Sequence, residues 1–354
     1  MRRSWVLFAA MCVIWGIPYL LIRVAVRDFA PGTLVFARTA VGGLVLLPFA
    51  VRSGALKAVL RRWRPLLAFT VIELAVPWLL LSYAEQSLSS SLTGLLVAAV
   101  PLVGVVVATV LRSDDRGGGV LRIAGLLLGI LGVAMLLGLD VAAVRAGPVV
   151  EVGLVAVGYA VAPVILSRRL ADLPSIPVIC ASLLLAAIGY LPYAATHPPV
   201  TITAETAFAV LGLALICTAL AFIVFFALIA EIGPSRATVI TYVNPAVAVL
   251  LGVTLLGEQF TAGMAVGFPL ILVGSFLAAR RAPAGAGRPA SAGSVEPDVA
   301  GGSAERGREQ AAVSTVRRNP LDVDAFEGLP RRHAEVEVDG QFVSGDLHTA
   351  QCDG

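Results

Sequence analysis

The chain has 354 residues, 58% hydrophobic and only 14% charged, with a net charge of +3. A soluble domain carries about a quarter charged residues, so this composition excludes an ordinary water-soluble protein. Nothing in its charge pattern points to a nucleic-acid partner.

Apolar runs fill the chain through Arg281 and nearly stop after it. About 20 apolar residues form a helix that crosses the hydrocarbon core of a bilayer. Ten segments meet that length, at 4–26, 32–51, 65–83, 88–111 and 120–139, then 149–167, 176–195, 206–230, 235–256 and 261–279. Strands of a membrane barrel are near ten residues and alternate apolar with polar. These runs do neither, so the expected fold class is an all-α integral membrane protein with ten transmembrane helices. Met1-Arg2-Arg3 before an apolar run imitates a signal peptide, but no small-x-small cleavage site follows. The run is read as an uncleaved first span.

Cytoplasmic loops are enriched in Lys and Arg. With the N-terminus inside, fifteen such residues fall on the cytoplasmic side, from Arg2 to Arg281, and two, Arg27 and Arg145, fall outside. Both termini are therefore expected in the cytoplasm.

The two halves match at a shift of 144 residues. Ser91 and Pro101 fall on Ser235 and Pro245, Pro48 on Pro192, and Asp114 on Glu258. Each half holds five spans, so the second is expected to insert upside down. Such inverted repeats recur in secondary transporters, with the substrate site between the halves. The expected organisation is 1–141 and 146–281 as two five-helix repeats, with 282–354 as a disordered cytoplasmic tail. The tail has seven Arg against twelve acidic residues and little to build a core.

The pattern from Ser235 through Asn244-Pro245 to Leu255-Leu256-Gly257-Glu258, echoed by Ser91, Pro101 and Asp114, resembles the EamA domain of the drug/metabolite transporter superfamily. Trp15-Gly16 and Arg38 are similar to that family as well. The resemblance covers about residues 4–281. It implies ten helices around a central cavity that moves small metabolites or drug-like solutes, with export expected. A lipid or lipid-linked sugar flippase and a non-transporting scaffold are the alternatives. A membrane enzyme is not expected, because the three histidines lie outside the spans and form no catalytic arrangement.

Candidate substrate- or proton-binding residues follow from cost. Glu73 lies deep in the third span, where an ionised carboxylate is expensive unless paired or wet. Arg38 lies inside the second span and either snorkels to the interface or points inward, toward Glu73 or an anionic substrate; the resemblance favours the inward reading. Arg23, nearer the surface, is expected to snorkel. Asn244, Tyr242 and Trp15 are candidate contacts. Pro101 and Pro245 are expected to bend the fourth and ninth helices along the cavity. Glu258 and Asp114 are expected to favour neighbouring helix N-termini rather than bind substrate. Cys12, Cys180, Cys217 and Cys352 suggest neither disulfide nor metal. No cofactor is expected. The partners are a small-molecule substrate and membrane lipid, and Gly125-x3-Gly129 suits either packing within the chain or a homodimer.

Overall fold

The computed structural model describes residues 2–110, 120–138 and 145–279, and among them every regular element is a helix. The tail, Asp114 and Cys352 lie outside the described residues. The long helices are α1 (Arg2–Ala25), α2 (Pro31–Arg52), α3 (Trp63–Ala84), α4 (Ser90–Val110), α5 (Val120–Gly138), α6 (Ala146–Arg169), α7 (Ser175–Thr196), α8 (Ala204–Ile232), α9 (Ile240–Leu256) and α10 (Ala262–Ala279). All but α9 are long and apolar enough to cross a membrane. At 17 residues α9 is shorter than expected, because the chain turns at Thr238–Val239 after one separate helical turn, Pro234–Ala237.

Local chemistry sets the helix ends. Ala30 is extended and Pro31 opens α2, where a missing N–H costs nothing. The Ser89 hydroxyl accepts from the Leu92 amide at 3.1 Å to start α4, and Thr203 does the same for Thr206 at 3.3 Å to start α8. Gly257, at φ +66°, ends α9 in the left-handed region.

Interruptions divide four helices. α1 breaks at Trp15–Gly16 and α4 at Ala98–Ala99, just before Pro101. Pro245 instead lies within the continuous stretch of α9. α3 and α8 each contain a π-helical segment, Thr70–Ala75 and Leu215–Leu220. A π segment strands backbone carbonyls that need other donors. In α8 the Thr218 hydroxyl donates to Leu213 O at 2.8 Å. In α3 the Tyr190 hydroxyl, from α7, donates to Ala75 O at 3.0 Å.

The packing respects the duplication. α2 packs on α7, α4 on α9 and α5 on α10; α3 on α6 answers to α8 on α1, and α4 on α6 to α9 on α1. The α5–α10 contact is backbone to backbone. A Cβ on Gly132 would stand 2.7 Å from Ile271 N and 2.8 Å from Gly267 O, so only glycine permits this approach. Gly125, Gly129 and Gly132 of α5 thus serve packing within the chain.

Two loop clamps show the same register. The Asp28 carboxylate, after α1, accepts from Thr206 Oγ1 at 2.7 Å and from Thr203 N at 3.0 Å, which holds its pKa below the ordinary value. Asp172, after α6, takes both arms of the Arg62 guanidinium at 2.6 Å. Asp28 and Asp172 are 144 residues apart, and so are Arg62 and Thr206. Outside the helical body, large apolar side chains such as Phe208 (74% exposed) and Leu127 (63%) face outward, which suits lipid and not water.

Candidate functional site

The polar centre is assembled around Arg38, from the middle of α2. Its side chain is 6% exposed. The guanidinium lies 3.6 Å from the ring centroid of Trp78, from α3. Its Nε donates to Thr218 Oγ1, in the π segment of α8, at 2.8 Å. The hydroxyl that patches the π segment therefore also holds the arginine. Cys217, Tyr159, Tyr19 and Glu85 are the other titratable groups around it. Tyr159, from α6, lies beside the Trp78 side chain and near Glu73. Its neighbour Gly158 lets α6 approach the π segment of α3, since a Cβ there would meet Ile72 O at 2.5 Å.

Arg38 thus points inward. Among the described residues no carboxylate lies within 4 Å of its guanidinium: the ion pairs formed are Arg3–Glu231, Arg27–Glu205 and Arg62–Asp172. Stacking on Trp78 stabilises a cation by about 0.5–2 kcal/mol, more when desolvated, but it does not neutralise one. The positive charge is held in shape and left without an anion.

Glu73 sits in the π segment of α3, half-buried, and its Oε2 has no hydrogen-bond partner. π segments inside α-helices occur often at functional sites. Thr70 Oγ1, one turn earlier, is also buried and unbonded. Both atoms are available to a proton, a water or a ligand.

The other candidates lie elsewhere in the body. Trp15, at the break in α1, packs its ring against Phe225 at 4.6 Å and Phe222 at 6.2 Å. Asn244 is 8% exposed, and with its amide oriented to give the nitrogen acceptors it donates to Cys12 O at 3.1 Å and Ile240 O at 2.9 Å, tying α9 to α1. Tyr242 is half-buried on α9. Arg23 does more than snorkel: its guanidinium donates to the backbone carbonyl of Glu85. Glu258 favours a helix N-terminus as expected, but of α4, across the two halves, rather than of the α10 that follows it.

Tyr159, Thr218 and Glu85 were not singled out from the sequence. The repeat register offered a signal for one of them. Tyr159 is 144 residues from Trp15, and Trp78 is 144 from Phe222. The Trp15–Phe222 ring pair and the Tyr159–Trp78 pair are therefore duplicates of one another.

A duplicated helical body, apolar outside and polar at its centre, is the build of a membrane transporter. The EamA-like transporter family model matches residues 3–138 and again 151–280. The chain belongs to that family and carries its two-repeat architecture. It is 29% identical over 257 residues to the "Uncharacterized inner membrane transporter YedA" of Escherichia coli K12, covering 71% of this chain and 82% of that protein. The same-named proteins of the O6:H1 and O157:H7 strains match equally. A solved structure described only as "Crystal structure of protein" superposes with a TM-score of 0.57 at 21% identity, over 78% of this chain and 96% of its own, which speaks to the fold alone.

Proposed function

We propose that the protein is a secondary transporter of the bacterial cytoplasmic (inner) membrane. It spans the bilayer ten times with both termini inside, and exports a small metabolite or drug-like solute by alternating access between inverted halves. The Lys and Arg distribution supports the orientation. The name of the Escherichia coli relatives supports the membrane. The family supports transport rather than catalysis.

The observation that carries the substrate class is the buried Arg38, stacked and hydrogen-bonded but without an anion. A planar guanidinium matches a carboxylate in two parallel hydrogen bonds. The substrate is thus a solute with an anionic group, bound at Arg38 against Trp78 and Tyr159; Trp15, Tyr242 and Asn244, which lie apart from Arg38, belong to the helices that move around it. Pro101 and Pro245 shape the helices that move around it. Glu73 takes a proton whose movement drives the solute.

Uptake of a mixed pool of labelled metabolites into proteoliposomes, with and without a pH gradient, tests this reading. Accumulation of anionic solutes that follows the gradient, and loses that dependence in Glu73→Gln, is expected. Accumulation only of cationic or neutral solutes would overturn the role given to Arg38.

A further inference from the structure

Glu85 is a second carboxylate inside the helical body, one that the transport reading does not use. It lies just past the end of α3 and is 0% exposed, with neither side-chain oxygen hydrogen-bonded. Burial raises its pKa well above the ordinary value; Arg23 pulls it down and Glu258 pushes it up. An unpartnered, fully buried carboxyl group is stable only when it carries a proton.

Its neighbour Glu258 is spent on a latch. Glu258 Oε1 accepts from the Ser90 amide at 2.7 Å, and Oε2 accepts from the Ser91 amide at 2.9 Å and the Ser91 hydroxyl at 2.5 Å. One carboxylate of the second half thus grips the first turn of α4, in the first half, by charge-assisted bonds at a helix N-terminus. Gly252 lies beneath the latch, where a Cβ would meet the Ser90 hydroxyl at 2.8 Å.

We propose that Glu85 is a proton-binding site that controls this latch: protonated, it leaves Glu258 on Ser90 and Ser91; ionised, it repels Glu258 and draws water in, and the latch opens. The charged and titratable groups around Glu85 are Arg23 and Tyr19 of α1, Arg38 of α2 and Glu258 after α9. Along α6, Glu151 lies near Tyr83 and Tyr159 near Glu73. Of the groups around Glu85, Glu258 is the other acid: an ionised Glu85 is drawn to Arg23 and repels Glu258, and the repulsion acts on the latch. The proposal deepens the transport reading by adding a gate, and its test needs no transport.

The full-length protein in detergent, with its four native cysteines replaced by alanine, receives a reporter at Thr93→Cys, fully buried on α4. Maleimide labelling is followed against pH and normalised to a separate Val200→Cys reporter, 97% exposed. Normalised labelling is expected to rise roughly tenfold with pH, within the usual range of coupling. The rise should vanish in Glu85→Gln and persist in Glu73→Gln. Glu258→Gln, which keeps its shape but loses its charge, should label freely at every pH. A flat wild-type profile, an unchanged rise in Glu85→Gln, its loss in Glu73→Gln, or full protection in Glu258→Gln each overturns the proposal.

Discussion

Two neighbourhoods of this protein occupy equivalent places in its two repeats and hold different side chains. Around Arg38 stand Trp78, Tyr159 and Thr218. The residues 144 positions away from these are Ser182, Phe222, Trp15 and Leu74. Both sets lie where a central helix, α2 or α7, packs against a π segment of the opposite half. Both carry an aromatic pair. Only one carries a charge. The Ser182 hydroxyl is fully buried with no hydrogen-bond partner, and the register says why: Leu74 stands where a second Thr218 would be. Duplication supplied the frame twice, and departure from the duplicate placed a buried cation in one copy.

The sharpest way to break this comparison is to remove the charge. Arg38→Ala should abolish binding of the anionic solute, because deleting one partner of a buried charge pair costs about 3–5 kcal/mol. Arg38→Lys should recover only part of it, since a lysine neither stacks flat on Trp78 nor offers a planar fork. Calorimetric titration of each variant with the transported solute checks both, and equal affinity in Arg38→Ala and the wild type sinks the assignment.

Thr218→Val asks whether the π segment and the arginine depend on one hydroxyl. The substitution removes the hydroxyl that donates to Leu213 O and accepts from Arg38 Nε. A loss of about 1–3 kcal/mol is expected for buried groups left unsatisfied, read as a lower melting temperature together with weaker substrate binding. Leu74, the equivalent residue, has no such bonds to lose. Leu74→Val should therefore lower stability through packing alone and leave binding in place.

The loop clamps give a smaller effect. Asp172→Asn removes the carboxylate charge that pairs with the Arg62 guanidinium, whose side chain is 43% exposed. Exposed pairs are worth about 0.2–1 kcal/mol, so a slight loss of stability that shrinks at high salt is expected in thermal unfolding. A large effect would mean that the clamp holds the halves in place during transport.

The elements of this contrast differed in how far the sequence could reveal them. The helices were legible because hydropathy and length read the bilayer directly, and bounds agree within a few residues. Arg38 was legible as a charge inside an apolar run. The π segments were not, since a shift of backbone bonding by one residue leaves no trace in hydropathy. Thr218 was hidden for the same reason: a threonine in an apolar helix reads as a back-bonded hydroxyl. Glu85 lies beside a turn, where an acidic residue reads as solvated, and only packing of α1 and α9 shows it buried. Glu258 announced an affinity for helix N-termini, but which helix it grips is a contact between halves that lies beyond local reading.

The smallest expected effect sharpens the comparison most. Ser182→Ala should leave stability within about 0.5 kcal/mol of wild type or raise it, because the hydroxyl it removes is buried without a partner. Leu74→Thr should make the same serine matter, by placing a hydroxyl where Thr218 stands in the other half. If the register is right, Ser182→Ala becomes measurably destabilising in the Leu74→Thr background, and a double-mutant cycle on thermal unfolding returns a coupling of about 0.5–1.5 kcal/mol. A coupling of zero would separate the two positions in space and break the equivalence from which the origin of the Arg38 site was argued.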